Sequence, residues 1–233
     1  MVRRQAVDLK KIDEVSDFWD VLTEDQCDYL RNSSIVQHYK KNELIHSEGD
    51  MPTHMMILVK GKVKIYKEGV GGRCQIIRMI KPVEYFGYRA IFAESTYNTN
   101  ASAFESSSVY LVPKDVIVNL LENNATLSFF FVKKLSVDLG ASDARTVNLT
   151  QKHIRGRLAE SLLSLKDNYG LEEDGATISI YLSREDIANL SNMTTSNAIR
   201  TLSNFANEKV ISIDGRRIKI IDEEKLKKIS KLG

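Results

Sequence analysis

Short runs of alternating apolar and polar residues fill the chain from residue 35 to residue 112. Residues 63–66 and 75–79 are examples, and glycines at 61 and within 69–72 separate the runs. Alternation with a period of two is typical of half-buried β-strands, and glycine punctuation marks the turns between strands. About six to eight such strands in under about eighty residues predict an antiparallel roll or barrel.

Helical periodicity flanks this region on both sides. Before it, residues 8–33 predict one or two short helices that cap the strands, with a capping box at residues 23–26. After it, a short helix is predicted over residues 115–124. The longest helical pattern of the chain follows over residues 125–150, without proline and with a single glycine.

The long helical pattern contains a seam whose members recur at alternating steps of three and four residues. A heptad seam favours pairing with the same helix of a second chain, and its polar C-terminal half predicts a contact that is tight only at its N-terminal end. The alternative is a single long helix lying on its own barrel. The predicted dimerisation residues are Val132, Leu135, Leu139, Thr146 and Leu149, with Ser142 between them.

A helix over residues 153–168 leads into two short helical patterns within residues 183–207. Ser183 is placed to cap the first and Thr194 the second, with a turn at residues 191–193 between them. A short helix, a tight turn and a longer helix form a helix-turn-helix. The predicted buried stripe of the second helix is Ala198, Ile199, Leu202 and Phe205.

Two further alternating runs, residues 210–213 and 217–221, flank the sequence Asp214-Gly215-Arg216. Asp-Gly between alternating runs is the strongest short signal of a β-hairpin. A two-stranded ribbon after the second helix makes the motif a winged helix-turn-helix. Residues 177–182 predict a strand that leads into the first of its two helices.

Short polar and forked side chains occupy the start of the second helix, outside its apolar stripe. The guanidinium of Arg200 matches the O6 and N7 acceptors of guanine, and a basic ribbon tip is placed to contact phosphate. A solvated helix start and a solvated turn are the alternatives. Two such helices on a two-fold axis reach successive major grooves about 34 Å apart, which favours the dimer. The predicted DNA-binding residues are Thr194, Thr195, Ser196, Asn197, Arg200, Arg216 and Arg217.

Four blocks of sequence resemble the Crp/Fnr family of bacterial transcription regulators. They are LSREDIANLSNMTTSNAIRTLSNFANEKVISIDGRRIKI at 182–220, EGD at 48–50, LVKGKVKIY at 58–66 and FGYRAIF at 86–92. The resemblance implies an α+β fold: an N-terminal antiparallel β-roll (a double-stranded β-helix), a long dimerisation helix and a C-terminal winged helix-turn-helix domain. The expected boundaries are 1–124 for the sensory roll with its N-terminal helices, 125–152 for the dimerisation helix and hinge, and 153–233 for the DNA-binding domain.

The resemblance also indicates where an effector would bind. Glycines 49, 61 and 87 match glycines of the family's roll, and the segment after Gly87 cradles the ligand phosphate in the cyclic-nucleotide members. Those members follow the glycine with a glutamate for the ribose. About a dozen residues on, they use an arginine that forms a charge-assisted hydrogen bond to the phosphate.

This chain departs from that pattern at both places. Tyr88 replaces the glutamate, and an asparagine or threonine within 98–100 replaces the arginine. Arg89, if it continues a strand, points away from the face of Tyr88. The departures argue against cyclic AMP as the effector. The effector-pocket candidates are Gly87, Tyr88, Arg89, Asn98, Thr99, Asn100 and Ser142.

Metal-based sensing lacks a motif. Cys27 and Cys74 supply two thiolates where an iron–sulfur cluster normally takes four, so we interpret them as reduced thiols, with a regulatory disulfide as the alternative. Haem, with nitric oxide as its ligand, stays open as a cofactor, and no metal site is predicted. Candidate axial ligands without a motif are His38, His46, His54, His153, Met51, Met55 and Met56.

Composition and charge change this picture little. An apolar share of 42% and a charged share of 27% are ordinary for a globular protein, and no apolar run is long enough to cross a bilayer. Residues 1–15 lack the apolar core of a signal peptide, so we expect a cytoplasmic protein without a membrane partner. The net charge is +2, and residues 151–233 carry 14 Lys and Arg against 12 Asp and Glu. This balance allows a local basic face without requiring one.

The patterns together predict a homodimeric regulator that binds a double-stranded DNA operator in a sequence-specific way and is controlled by an effector sensed in the roll. RNA polymerase is a further candidate partner. The alternative is a ligand-sensing regulatory subunit that acts on a protein partner. An enzyme is not predicted, because the sequence contains no recognisable catalytic triad, paired-carboxylate, P-loop or metal-ligand spacing.

Overall fold

The computed structural model describes residues 17–69 and 72–232, which form two compact units. The first unit contains the described residues up to Lys67 together with Ile77–Asp138. The second contains the tip of one hairpin, within Glu68–Ile76, and the described residues from Leu139 onward. Residues 8–16 of the predicted N-terminal helices, and residues 70 and 71 of the predicted glycine turn, lie outside the described part of the chain.

Eight strands form two four-stranded sheets, ordered β1-β8-β3-β6 and β2-β7-β4-β5. The pairings of β1 with β8, β3 with β8 and β6, and β7 with β2 and β4 are antiparallel. The predicted antiparallel roll is therefore confirmed. The strands are β1 (Ile35–Tyr39), β2 (Leu44–His46), β3 (His54–Lys60), β4 (Val63–Glu68), β5 (Cys74–Ile80), β6 (Tyr85–Phe86), β7 (Asn100–Ala103) and β8 (Ser107–Pro113).

Strand β3 shows why its sequence is apolar almost throughout. Successive side chains of a strand point to opposite faces of the sheet. Met56 and Leu58 face the roll interior and pack with Val109 and Leu111 of β8 and others. Met55 and Ile57 instead join a second core. Because both faces of β3 are covered, apolar residues occur at consecutive positions rather than at alternate ones.

Four α-helices accompany the strands and build this second core. Thr23 caps the first helix with the predicted capping box: the Gln26 N–H donates to Thr23 Oγ1 (3.3 Å), and the Thr23 N–H donates to Gln26 Oε1 (3.1 Å). Buried Phe18, Tyr110 and Phe131 are among the members of the core. The helices are α1 (Glu24–Ser33), α2 (Tyr88–Phe92), α3 (Lys114–Asn123) and α4 (Ala125–Gln151).

The surface of α4 differs in part from the predicted seam. Leu135 is half-buried against the core of the first unit, and Leu149 is half-buried in the second. Both are therefore partly covered by their own chain. Val132 and Leu139 are 53% and 64% exposed. Phe129, which the seam did not include, is 57% exposed and lies three residues before Val132, close to its face of the helix. Ser142 and Thr146 are also exposed.

The second unit holds the predicted helix-turn-helix and its ribbon. Residues 177–182 do not form the predicted strand: Thr177 makes a single bridge to Lys219 and Ile178 a single bridge to Leu171. The Asp174 carboxylate accepts from the Ala176 and Thr177 N–H groups, while the Ile178 N–H donates to the Ile218 carbonyl and the Ser179 N–H to the Gly170 carbonyl. The elements are α5 (Ile154–Tyr169), α6 (Arg184–Leu190), α7 (Thr195–Asn207), β9 (Ile211–Asp214), β10 (Arg217–Ile220) and α8 (Glu223–Leu232). Among the described helices, none is both long and apolar enough for a bilayer crossing.

Candidate DNA-binding and effector sites

Local capping explains where the two helices of the helix-turn-helix begin. The Asp186 N–H donates to Ser183 Oγ (3.0 Å) at the start of α6, and the Asn197 N–H donates to Thr194 Oγ1 (3.3 Å) at the start of α7. Between them, Asn192 adopts a left-handed φ of 51°, which asparagine tolerates better than most residues. The predicted caps and turn are thus where the sequence placed them.

The first turns of α7 leave several of the predicted DNA-binding side chains at the surface. Thr195, Ser196 and Arg200 are exposed. Arg200 Nη2 donates to the side-chain Oδ1 of half-buried Asn197 (2.7 Å), which orients the guanidinium along the helix surface. Thr194 is exposed too, although its hydroxyl is already used as the helix cap. These five predicted residues therefore lie at the cap and in the first two turns of α7, and four of them are exposed.

The buried stripe of α7 corrects one sequence prediction. Ile199 was expected inside, but its side chain is 47% exposed, and Thr201 is buried in its place at 7% exposure. Ala198, Leu202 and Phe205 are buried as predicted. On a helix, residue 199 lies four positions after Thr195 and three after Ser196, so it shares their face. An apolar residue on a polar face was the signal in the sequence that could have revealed this.

The wing carries the two predicted phosphate-contacting arginines. Strands β9 and β10 pair through Asp214 and Arg217, and Gly215 adopts the positive φ (55°) of the tight turn between them. Arg216 is exposed at the tip. Arg217 is exposed as well, and its guanidinium lies 5.5 Å from the ring centre of Tyr181, a cation–π contact. Arg216 is therefore the more accessible of the two.

The segment after Gly87 is a helix, not a strand. Gly87 has a left-handed φ of 81°, a conformation that favours glycine, and a Cβ there would lie 2.8 Å from the terminal methyl group of Met56, which would have to shift. Tyr88 is buried, whereas Arg89 is exposed on α2. The prediction that Tyr88 and Arg89 point apart holds, but its reason was wrong, because helical rather than strand geometry separates them.

Tyr88 is held by ionic groups that the sequence analysis missed. Its hydroxyl donates to Asp138 Oδ2 (2.7 Å), and Arg78 Nη1 donates to the same oxygen (3.0 Å). Lys134 Nζ lies 3.6 Å from Asp138 Oδ1. Burial alone raises the pKa of Asp138, but Tyr88, Arg78 and Lys134 outweigh it and lower that pKa. Burial, followed by Asp138, raises the pKa of Tyr88, so the phenol stays protonated.

The remaining effector candidates have other partners. The Asn98 carbonyl accepts from Lys67 Nζ (3.2 Å), and Asn100 Oδ1 accepts from the Glu48 N–H (2.9 Å). Thr99 makes a backbone hydrogen bond with the His46 ring. Ser142 is exposed on α4. The described contacts thus link residues 98–100 to β4, to β2 and to the turn that follows β2, and link Tyr88 to α4.

The four histidines lie in different places, and one is buried. His46 is 8% exposed and stacks on Tyr97 with ring centres 3.8 Å apart. Burial, only partly offset by Asp50 and Thr99, lowers the His46 pKa to about 4, so the ring is neutral at pH 7. His38 bonds to Ser108 and His54 to Thr53. Neither Cys27 nor Cys74 is in a disulfide.

Comparison with known proteins agrees with this architecture. A model of the cyclic nucleotide-binding domain matches residues 36–124, and a model of the Crp-like helix-turn-helix domain matches residues 156–229. The CRP-like cAMP-activated global transcriptional regulator of Mycobacterium tuberculosis is 24% identical over 189 residues, covering 81% of this chain and 84% of the relative. The anaerobic regulatory protein of Bacillus subtilis is 25% identical over 197 residues, covering 84% and 83%.

The fold is also that of a solved structure. The structure of FixK2 from Bradyrhizobium japonicum matches with a TM-score of 0.77 at 21% identity, covering 84% of this chain and 96% of that one. These relatives are regulators rather than enzymes. With its nucleotide-binding-type roll and its Crp-like helix-turn-helix, the chain belongs to the Crp/Fnr family of transcription regulators.

Proposed function

We propose that this DNA-binding regulator acts as a homodimer that reads a specific, two-fold symmetric DNA site with α7. The observation that carries the proposal is the exposed face of α7, where Thr195, Ser196, Ile199 and Arg200 share one surface after a well-capped turn. Arg200 would bind a guanine edge, and the methyl groups of Ile199 would contact a thymine methyl group. Arg216 at the wing tip would contact phosphate.

Dimerisation is proposed through the exposed apolar side chains of α4. Phe129, Val132 and Leu139 are each more than half exposed, and the last two lie seven residues apart on one face. Large apolar side chains grouped at a surface favour contact with a partner, and a second copy of this helix offers the same surface. In this proposal residues 1–124, 125–152 and 153–233 act as sensor, dimer helix and DNA-binding domain.

The effector proposed for the roll is not cyclic AMP. Tyr88 stands where the family's nucleotide-binding members have a glutamate, and its hydroxyl is already bonded to Asp138. No arginine stands within residues 98–100 to pair with a cyclic phosphate. Haem is not proposed either, because His46 is packed against Tyr97 and His38 and His153 are exposed on other elements.

Selection of binding sites from random duplex DNA tests the proposal. We expect the enriched sequence to contain two inverted half-sites whose centres are about 10 base pairs apart, one for each α7. Affinity for that site should fall linearly with the logarithm of salt concentration, with a slope of about −0.9 for each phosphate contact. Arg216→Ala should reduce the slope by about one. Enrichment of no sequence, or of a single unrepeated half-site, would contradict the proposal.

A further inference from the structure

A cavity of about 330 Å³, open to solvent where exposed Ala141 and Ala144 line it, lies within the second unit between the C-terminal part of α4, α5 and the end of α6. This volume is at the lower end of the range for small-molecule sites. Ala141, Ala144 and Leu190 make part of its wall apolar, whereas Arg145 and Arg157 bring guanidinium groups to it. A few polar groups among apolar ones is the usual composition of a ligand site.

Arg157 has a hydrogen-bond donor in this region that no described residue of the chain satisfies. Its Nη1 donates to the Leu149 carbonyl (3.3 Å) and its Nη2 to the Asn192 carbonyl (3.1 Å), which fixes the guanidinium in place. Its Nε is buried and finds no acceptor among the described residues. A buried donor without an acceptor carries a desolvation cost that an acceptor atom of a ligand would remove.

The charge of the wall favours an anion. Arg145 donates from Nη2 to the Ile76 carbonyl (2.7 Å), and burial lowers its pKa, so an added negative charge would stabilise the cation. The acidic residue of the wall is Glu160, whose carboxylate is bonded to Lys152 Nζ (2.9 Å) and to the Ser230 hydroxyl. The described lining thus contains two guanidinium groups and one carboxylate, and that carboxylate is itself paired with Lys152.

We infer that this cavity binds a small organic anion. Its carboxylate or phosphate accepts a hydrogen bond from Arg157 Nε, and its apolar part lies against Ala144 and Leu190. The site would also be regulatory, since Arg157 holds the carbonyl of Asn192 in the turn that precedes α7. Binding of the anion is independent of the function proposed above, and only its effect on DNA affinity rests on that function.

Isothermal titration calorimetry of the full chain tests the inference with benzoate and phenyl phosphate as probes and benzamide and phenol as their neutral analogues. We expect saturable binding of at least one anion and about tenfold weaker or no binding of its neutral analogue. Arg157→Gln should weaken anion binding at least about tenfold because the Nε donor is lost. Ala144→Leu should do the same by filling the cavity, while it keeps every hydrogen bond of the wall.

Arg155→Gln is the matched control. It removes a guanidinium from the same helix, but that group binds Glu208 (2.8 and 2.5 Å) and does not line the cavity. Its affinity for the anion should match that of the parent. The inference is overturned if the folded parent binds neither anion, if anions and neutral analogues bind equally, or if all three variants bind like the parent.

The two proposals fail in different ways. A chain that binds its selected DNA site but none of the probes overturns the anion site alone. A chain that binds an anion but shows no sequence-specific DNA binding contradicts the proposed function and leaves the anion site standing. If both hold, saturation with the anion should change the DNA affinity of the parent more than that of Ala144→Leu.

Discussion

The first turns of α7 and the segment that begins at Gly87 both belong to the sequence blocks typical of the family. Their polar side chains differ, however, in exposure and in hydrogen bonding. On α7, Thr195, Ser196 and Arg200 are exposed. After Gly87, Tyr88 is buried and its hydroxyl is bonded to Asp138. The start of α7 therefore keeps hydrogen-bond donors and acceptors available to a partner. The Tyr88 hydroxyl already has its hydrogen-bond partner within the chain.

This contrast affects how readily each segment could bind a partner. A ligand for the roll would have to break the bonds of Asp138 before it could use Tyr88, and the new bonds would only replace those lost. A DNA base meeting Arg200 displaces water and the Asn197 contact at an exposed position, so a net gain is available. The exposed face of α7 thus supports DNA binding more strongly than the segment after Gly87 supports any particular effector.

The largest expected effect comes from the surface that would bring two copies of α7 together. Leu139→Glu should give monomers, because a charge replaces a 64% exposed apolar residue at the proposed contact. Operator affinity should fall about a hundredfold or more, since the two half-sites no longer act together. Light scattering and a DNA-binding titration measure both effects. Val137→Glu makes the same change at a 68% exposed position on another face and should leave the mass unchanged.

The next largest expected effect is a loss of stability at low pH that is caused by buried His46 of the roll. Burial lowers the pKa of His46 in the folded chain to about 4, whereas an unfolded histidine has a pKa of about 6.5, so between these values the unfolded chain binds more protons. The stability contributed by neutral His46 is present above this window and is lost as the pH falls, by up to about 3 kcal/mol.

Denaturation followed by the fluorescence of Trp19 measures this loss, because the single tryptophan lies in the core beside Tyr110. His46→Gln should reduce the slope of the free energy of unfolding against pH between about 6.5 and 4. His38→Gln, at an exposed position, should keep the slope of the parent. Equal slopes in His46→Gln and the parent would show that the ring is not held neutral.

Removal of the Arg200 guanidinium from α7 should reduce the free energy of DNA binding by a similar amount. Arg200→Ala is expected to weaken binding to the selected site by about 1–3 kcal/mol and to relax the preference for one base. Arg200→Lys keeps the charge but not the fork, so it should lose base preference with a smaller loss of affinity. An equal loss on selected and random DNA would make Arg200 a phosphate contact instead.

The contribution of the Tyr88–Asp138 hydrogen bond to the stability of the roll can be tested by removing the Tyr88 hydroxyl. Tyr88→Phe should lower the free energy of unfolding by about 1 kcal/mol, because Asp138 loses a partly buried hydrogen bond but keeps Arg78 and Lys134. Trp19 fluorescence during urea denaturation reports it. Tyr29→Phe, at a 43% exposed tyrosine, should change little. Equal stability of Tyr88→Phe and Tyr29→Phe would show that the Tyr88 hydroxyl does not stabilise the roll.

The smallest effect concerns Ile199. Replacing thymines of the selected site one at a time by deoxyuracil removes one methyl group at each position. At the position that Ile199 meets, the loss should be about 1 kcal/mol for the parent and near zero for Ile199→Ala. Competition binding measures each substitution. If parent and variant respond alike at every thymine, Ile199 contacts no methyl group.

Local chemistry made much of the fold predictable. The capping box at Thr23, the caps at Ser183 and Thr194 and the Asp-Gly turn of the wing depend on residues within three or four positions of each other, and all were predicted. The alternation of the roll strands was equally readable, because the period of a strand is a local property. The strand predicted over residues 177–182 does not form, because in the described structure only Thr177 and Ile178 of this segment make bridges, and alternation does not encode how many positions of a run find a partner strand.

Contacts between distant parts of the chain were not predictable in this way. Tyr88 meets Asp138 across 50 positions and Arg78 meets it across 60, and no spacing rule joins such residues. The exposure of Ile199 likewise depends on which side of α7 the neighbouring helices cover. Pattern and spacing were enough to identify most of the elements, the family resemblance and the polar face of α7. Whether each side chain is satisfied inside or left for a partner was decided by packing, because burial is a property of the whole fold.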